Sequence, residues 1–368
     1  MIEDLLTPLR DAEVRPPRVD LQLAIRTGRR RRRVRHAAMA GLAAAAVLAT
    51  TVVIGTLSGR PQSMPANRPP LPTSTVAPPL GECTLSEDNP PYASERPRAV
   101  VDDTWRVAVH LEGTRWVIRY VDGRRERIEN APVDFRALGG ANRAGDFTAT
   151  DYREERGWVY RNGMFAELAL PSGARKIELV DINDAGDVLG TVTPADVSRR
   201  EAVVWTHGRP DRPRVLDTPA GMSSRAYGIA WDGTVVGEVF DGASLTSYLW
   251  HPDGAGEPLP RPAELGQDGG VTGLAGDWAV GPDVRWNIRT GQAEVIKGLD
   301  GAGIPDVYGR IYGNTSTDEH RQVVWINGTF HPMTETFDGE RVQLRAVRHD
   351  GRQLVGETTS GAWARWDC

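Results

Sequence analysis

The chain has 368 residues, 40% hydrophobic and 25% charged, with a net charge of −5, enough to bury one large core or two ordinary ones. Residues 1–36 hold ten Arg against five acids, which leaves 34 basic and 44 acidic residues for the rest. That acidic majority gives no electrostatic footprint for nucleic acid, and the 40 Gly, 26 Pro and 11 Trp argue for short strands and tight turns over helices.

In chain order, residues 1–36 form a basic tail too short for a domain. Ile2, Leu5, Leu6 and Leu9 recur at helical spacing, and Arg15-Pro16-Pro17 interrupts the pattern. The tail reads either as a docking peptide or as a disordered segment whose arginines fix topology and touch anionic lipid.

No charge occurs from Ala37 to Gly59, and residues 37–58 read as a transmembrane helix of the length that crosses a hydrocarbon core. Arg29, Arg30, Arg31, Arg32, Arg33 and Arg35 precede it, while Arg60 and Arg68 follow. The positive-inside rule therefore keeps the N-terminus in the cytoplasm and sends the remainder across the cell membrane. A cleaved signal is the rival, but its leader would be unusually long and no convincing small-residue cleavage site follows Leu57. The arginine run also allows a twin-arginine export signal, although the residues after it fit that pattern poorly.

Residues 59–98 are proline-rich, with Pro69-Pro70, Pro78-Pro79 and Pro90-Pro91, and read as a semi-rigid extracytoplasmic spacer. Cys83 and Cys368 are the two cysteines, and they bracket the folded region. A disulfide is the expected state in an oxidising space; lipid attachment at Cys83 or two free thiols are the alternatives.

Residues 99–368 carry internal repeats. Segments 179–190, 227–237 and 344–356 share an apolar stretch, an Asn or Asp turn ending in Gly, a second apolar stretch and Gly; 137–149 is looser, and 274–281 and 308–313 are shortened. A Trp-bearing strand follows each. Trp116, Trp158, Trp205, Trp250, Trp286, Trp325 and Trp363 are spaced by 42, 47, 45, 36, 39 and 38 residues. Units of about forty residues with three or four strands predict an all-β fold, a seven-bladed β-propeller with these tryptophans as inter-blade core. Six blades result if the first unit lends its strands to the last. In either ring Cys368 comes near Cys83.

The units resemble the extracellular HAF-type repeats, with consensus IN-x-x-G-x-V-V-G followed by A-x-x-W. Ile182-Asn183, Gly186, Gly190, Ala202 and Trp205 carry the likeness best, over roughly residues 99–368. Gly276-Asp277 and Gly309-Arg310 depart from it. The resemblance implies a repeat fold outside the cell and no defined activity.

Chemistry is sparse. Asp181 to Asp187 begins like a calcium loop, but Ala185 and Val192 stand where ligands belong, so the segment reads as a hairpin turn. The histidines lack zinc spacing, and no nucleophile elbow, P-loop or dinucleotide fingerprint occurs, so neither a metal nor a cofactor is expected. The expectation is a membrane-anchored binding or scaffolding module for an extracellular protein or glycan. A propeller hydrolase or lyase acting on extracellular polymers, and a transmembrane regulator signalling through the tail, are the alternatives. Acidic and histidine side chains converging on one channel mouth would mark the enzyme; an aromatic patch without them would mark the binder.

Overall fold

The computed structural model describes residues 79–81, 83–87, 100–101, 107–112, 116–121 and 124–368, apart from 152, 196–198, 267–269, 302, 317–320 and 349. The tail, the transmembrane helix and most of the spacer expected from the sequence lie outside these residues.

The described residues are all β, without a helix, and build seven antiparallel sheets in a propeller-like arrangement. The first spans 100–128, the second 135–168, the third 174–215, the fourth 223–258, the fifth 273–295 and the sixth 304–332, each a four-stranded meander. The seventh contains Glu340–Val347, Gln353–Thr358 and Trp363–Asp367, with the short strand Thr336–Phe337 at one edge and Thr84–Glu87 at the other. Its N-terminal strand runs in register with the last one: Thr84 faces Asp367, Leu85 faces Trp366 and Glu87 faces Ala364. Beside that ladder Cys83 and Cys368 form a disulfide closing a separation of 285 residues.

This strand moves a domain boundary. The spacer expected over 59–98 contains Thr84–Glu87, so the folded region starts before residue 99. Four residues among prolines carry too little periodicity to be read as a strand; their pairing with a segment 280 residues later supplies the order.

Each sheet buries its faces against its neighbours, so middle strands such as Val188–Pro194 and Glu201–Trp205 read as near-continuous apolar runs. Successive sheets meet in six clusters, and in each a large aromatic side chain of the later sheet takes one recurring position: Tyr160, Trp205, Trp250, Trp286, Trp325 and Trp366. These six share one register, facing Phe147, Val188, Val235, Ala279, Ile311 and Leu354. Four of the indoles also donate to the strand crossing between sheets: Trp205 Nε1 to Ala169 O (2.7 Å), Trp250 to Asp217 O (2.7 Å), Trp286 to Pro260 O (2.6 Å) and Trp366 to Thr334 O (2.8 Å). One side chain thus fills the gap between sheets and satisfies a crossover carbonyl.

Two tryptophans of the expected series stand elsewhere. Trp363 is half-buried three residues before Trp366, and Trp116 lies half-buried under the Arg127 guanidinium at 4.0 Å. Trp158 does lie in the cluster between the first and second sheets, on the same strand face as Tyr160, which holds the register position of the later tryptophans. Within Trp363–Asp367 two tryptophans compete, and spacing alone selects the wrong one.

First strands pack on first strands around the axis. In three of them a bulge falls at the same place, at Val180, Tyr227 and Arg345. Such an extra residue adds local twist and re-aims the chain that follows.

Candidate functional site

The turns linking first to second strands gather at one end of the axis. Asn142, Asn183 and Asp306 head three of them in the same way. Each accepts N–H bonds at Oδ1 from its own turn (Ala144 and Asp146; Asp187; Tyr308 and Arg310), an arrangement that holds the turn with no help from other elements. Gly186 completes its turn at φ +81°, and a Cβ there would sit 2.4 Å from His207 Nδ1, so glycine is required twice over. The Asp181–Asp187 segment is therefore a hairpin turn.

Each turn is also tied to its neighbour. Asn142 Nδ2 donates to Asn183 O (3.1 Å) and Asn183 Nδ2 to Ala230 O (2.9 Å), while Arg143 N donates to Asp184 Oδ1 (3.1 Å) and Ile229 N to Asp181 Oδ2 (3.2 Å). Arginines make further ties of this kind. Arg289 bridges Asp232 (2.5 Å) and Asp277 (2.7 Å), Arg285 donates to Gly309 O, and Arg310 donates to Asp350 O (2.7 Å). A polar girdle thus runs from the second sheet to the seventh.

Two parts of this girdle are electrostatically distinct. For Asp232, burial by itself would raise the carboxyl pKa; the hydrogen bonds from Arg289 and Thr234 and the Arg289 charge outweigh it and hold the group below the usual carboxylate range. Asp306 is fully buried beside Arg310 (2.5 Å) and Tyr312 Oη (3.2 Å). There burial wins and the carboxyl pKa is raised despite the guanidinium, and the Tyr312 phenol is pushed up as well, by burial first and Asp306 second.

Inside the girdle lies a cavity of about 370 Å³ to which the second through seventh sheets all contribute. Its polar side is made by Asn142, Arg143, Asp181, Asn183 and Asp184, and its apolar side by Trp231, Leu274, Pro305, Val307 and Val347. The inner strands Gly273–Ala275 and Ile304–Pro305 are far shorter than Ala174–Ile182, which leaves the axis open on their side. Arg143 Nε lies 3.2 Å from Asp184 Oδ2, so the two charges compensate. Asp181 accepts from Ile182 N (2.8 Å) in addition to Ile229 N.

No histidine lines this cavity among the described residues. His207 and His251 sit in turns at the outer ends of the third and fourth sheets: His207 N donates to Asp187 Oδ1 and His251 Nε2 is 3.3 Å from Glu257. The side chains of His110, His320 and His349 lie outside the described set. No group of three His, Cys, Asp or Glu side chains among the described residues has the geometry of a metal cage. The tryptophans selected by spacing do not line the cavity. Trp231, which does, belongs to no repeated Trp position, and its one sequence signal is its place inside the Ala230–Gly233 turn.

No protein-family profile matches the chain and no curated protein matches it, so the likeness to HAF-type repeats stands on its residues alone. Among solved structures, the chain is similar to a streptogramin B lyase structure at 14% identity and TM-score 0.48, covering 77% of this chain and 97% of that one. It is also similar to the Dos1 propeller (11% identity, TM-score 0.48, 72% and 76% covered) and to YCF48 from Cyanidioschyzon merolae (9%, 0.46, 73% and 94%).

Proposed function

We propose that this protein is a single-pass membrane protein that displays a seven-bladed β-propeller outside the cell as a binding or scaffolding module, with the axial cavity as its binding face. One observation carries the reading: six sheets converge on a cavity whose rim is pre-set by hydrogen bonds between consecutive turns, with an indole in its wall. A rim ordered in advance lowers the entropy cost of binding, which is what a recognition surface needs. The seven sheets support the blade count, and the uncharged stretch 37–58 behind Arg29–Arg33 supports the anchor and its direction. The cavity lining does not favour the enzyme alternative, because Asp181 and Asp184 are each engaged by backbone N–H groups and no histidine joins them among the described residues.

The test has two arms. Reporter fusions at residues 30 and 80 are expected to report cytoplasmic and extracytoplasmic positions; the reverse orientation would remove the display reading. A photo-crosslinking side chain at position 231 is expected to capture a ligand on intact cells, and the same probe at Met164, exposed on the outer edge of the second sheet, is expected to capture none. Equal labelling from both positions would remove the cavity as the binding face.

A further inference from the structure

We infer that the axial cavity takes the end of a neutral saccharide, with a sugar ring stacked on the Trp231 indole and its hydroxyls bonded to the Arg143–Asp184 pair. The inference rests on the binding-face reading above and names its ligand class.

Three observations favour this ligand. The first is charge. Arg143 and Asp184 compensate each other at 3.2 Å, so the lining offers an anionic ligand no isolated cation, and both Asp181 oxygens already accept backbone N–H bonds. The pair is nonetheless part-exposed, at 34% and 37% for the two side chains. It offers a fixed fork of guanidinium donors beside carboxylate lone pairs, and a vicinal diol, each hydroxyl both donor and acceptor, matches such a fork.

The second is the indole. Trp231 is half-buried in the cavity wall, and its turn is clamped by Arg289, which bonds the adjacent Asp232 and lies 5.9 Å from the ring centroid. An indole held in a cavity wall suits the C–H face of a pyranose, and Leu274, Pro305 and Val307 supply apolar surface for the rest of the ring.

The third is size and surroundings. A volume of about 370 Å³ lies near the lower end of the roughly 300–1,000 Å³ of small-molecule pockets. A protein partner needs an apolar anchor patch around such a cavity. Among the described residues the exposed large hydrophobics are Met164 and Val215, both on the outermost strands of their sheets.

The experiment titrates the full chain in lipid nanodiscs with maltotriose, cellotriose, chitotriose and xylotriose, read by calorimetry and tryptophan fluorescence. Parallel titrations use sialyllactose, a hexaglutamate peptide and a hexa-arginine peptide. Binding of at least one neutral trisaccharide is expected, weakened about tenfold or more by Trp231→Ala and retained within about threefold by Trp231→Phe. Arg143→Gln is expected to weaken it as well, and it serves as the second test should the alanine variant fail to fold. The inference is overturned if no neutral saccharide binds, or if one binds and neither variant changes its affinity. Binding of a peptide alone, lost in Trp231→Ala, would overturn the saccharide and leave the binding face standing; silence from every probe together with a silent crosslinker at position 231 would end both.

Discussion

Replacing Cys83 and Cys368 by alanine removes the covalent clasp between the first and last strands of the folded region. The disulfide spans 285 residues, and in the chain-entropy model a loop of that length restricts the unfolded chain by about 5.6 kcal/mol at 25 °C. That is comparable to the whole stability of an ordinary domain, so the loss is large on any scale. Unfolding entropy near 2.1 cal/mol/K per residue over residues 79–368 is about 0.6 kcal/mol/K, so the loss corresponds to a fall in Tm of about 9 °C. The native contacts change little: Leu80, Leu85 and Trp366 remain in the cluster beside the seventh sheet, and the four-residue ladder from Thr84 to Glu87 persists. Differential scanning calorimetry of the double variant against wild type, both without reductant, measures the shift. Hydrogen exchange is expected to accelerate first at Thr84–Glu87 and then at Trp363–Asp367. A Tm change below about 2 °C with unaltered exchange in these strands would refute the reasoning, since the unfolded chain would then be restrained by something other than the clasp.

Trp286→Ala is expected to cost about 3–5 kcal/mol, because a fully buried indole between the fourth and fifth sheets is lost and Pro260 O loses its donor; denaturant unfolding checks it, and a cost under 1 kcal/mol would contradict the inter-sheet role. Asp306→Asn keeps the acceptor for the Tyr308 and Arg310 amides but strips the carboxylate from a guanidinium that is 2% exposed, and is expected to destabilise by about 3–5 kcal/mol in chemical denaturation. Asp232, with its carboxyl held below the ordinary value of 3.8, contributes stability above that value and loses it as pH falls through the lowered one. The stability gap between wild type and Asp232→Asn is therefore expected to be constant near neutrality and to shrink in acid, as followed by urea midpoints from pH 7 downward.

Much of the fold is legible from local chemistry. Asn183 to Gly186 reads as a hairpin turn because the Asx side chain and the glycine dictate it without help from elsewhere, and the apolar run before Trp205 reads as a Trp-bearing strand. Where two aromatics share a strand on opposite faces, as Trp363 and Trp366 do, spacing cannot tell which one enters the gap between the sixth and seventh sheets. That is decided by which residue faces Leu354 across the ladder.

The sequence by itself determined the all-β class, the repeat of hairpins, the uncharged segment behind its arginines and the expectation that Cys83 meets Cys368, because each depends on residue type at short range or on a count of two. Tertiary structure alone decided that Thr84–Glu87 completes the last sheet and that Arg143, Asp184 and Trp231 share one cavity. Arg143, Asp184 and Trp231 come from three different sheets, and nothing local in the chain encodes a neighbour that only the packing of successive sheets brings within reach.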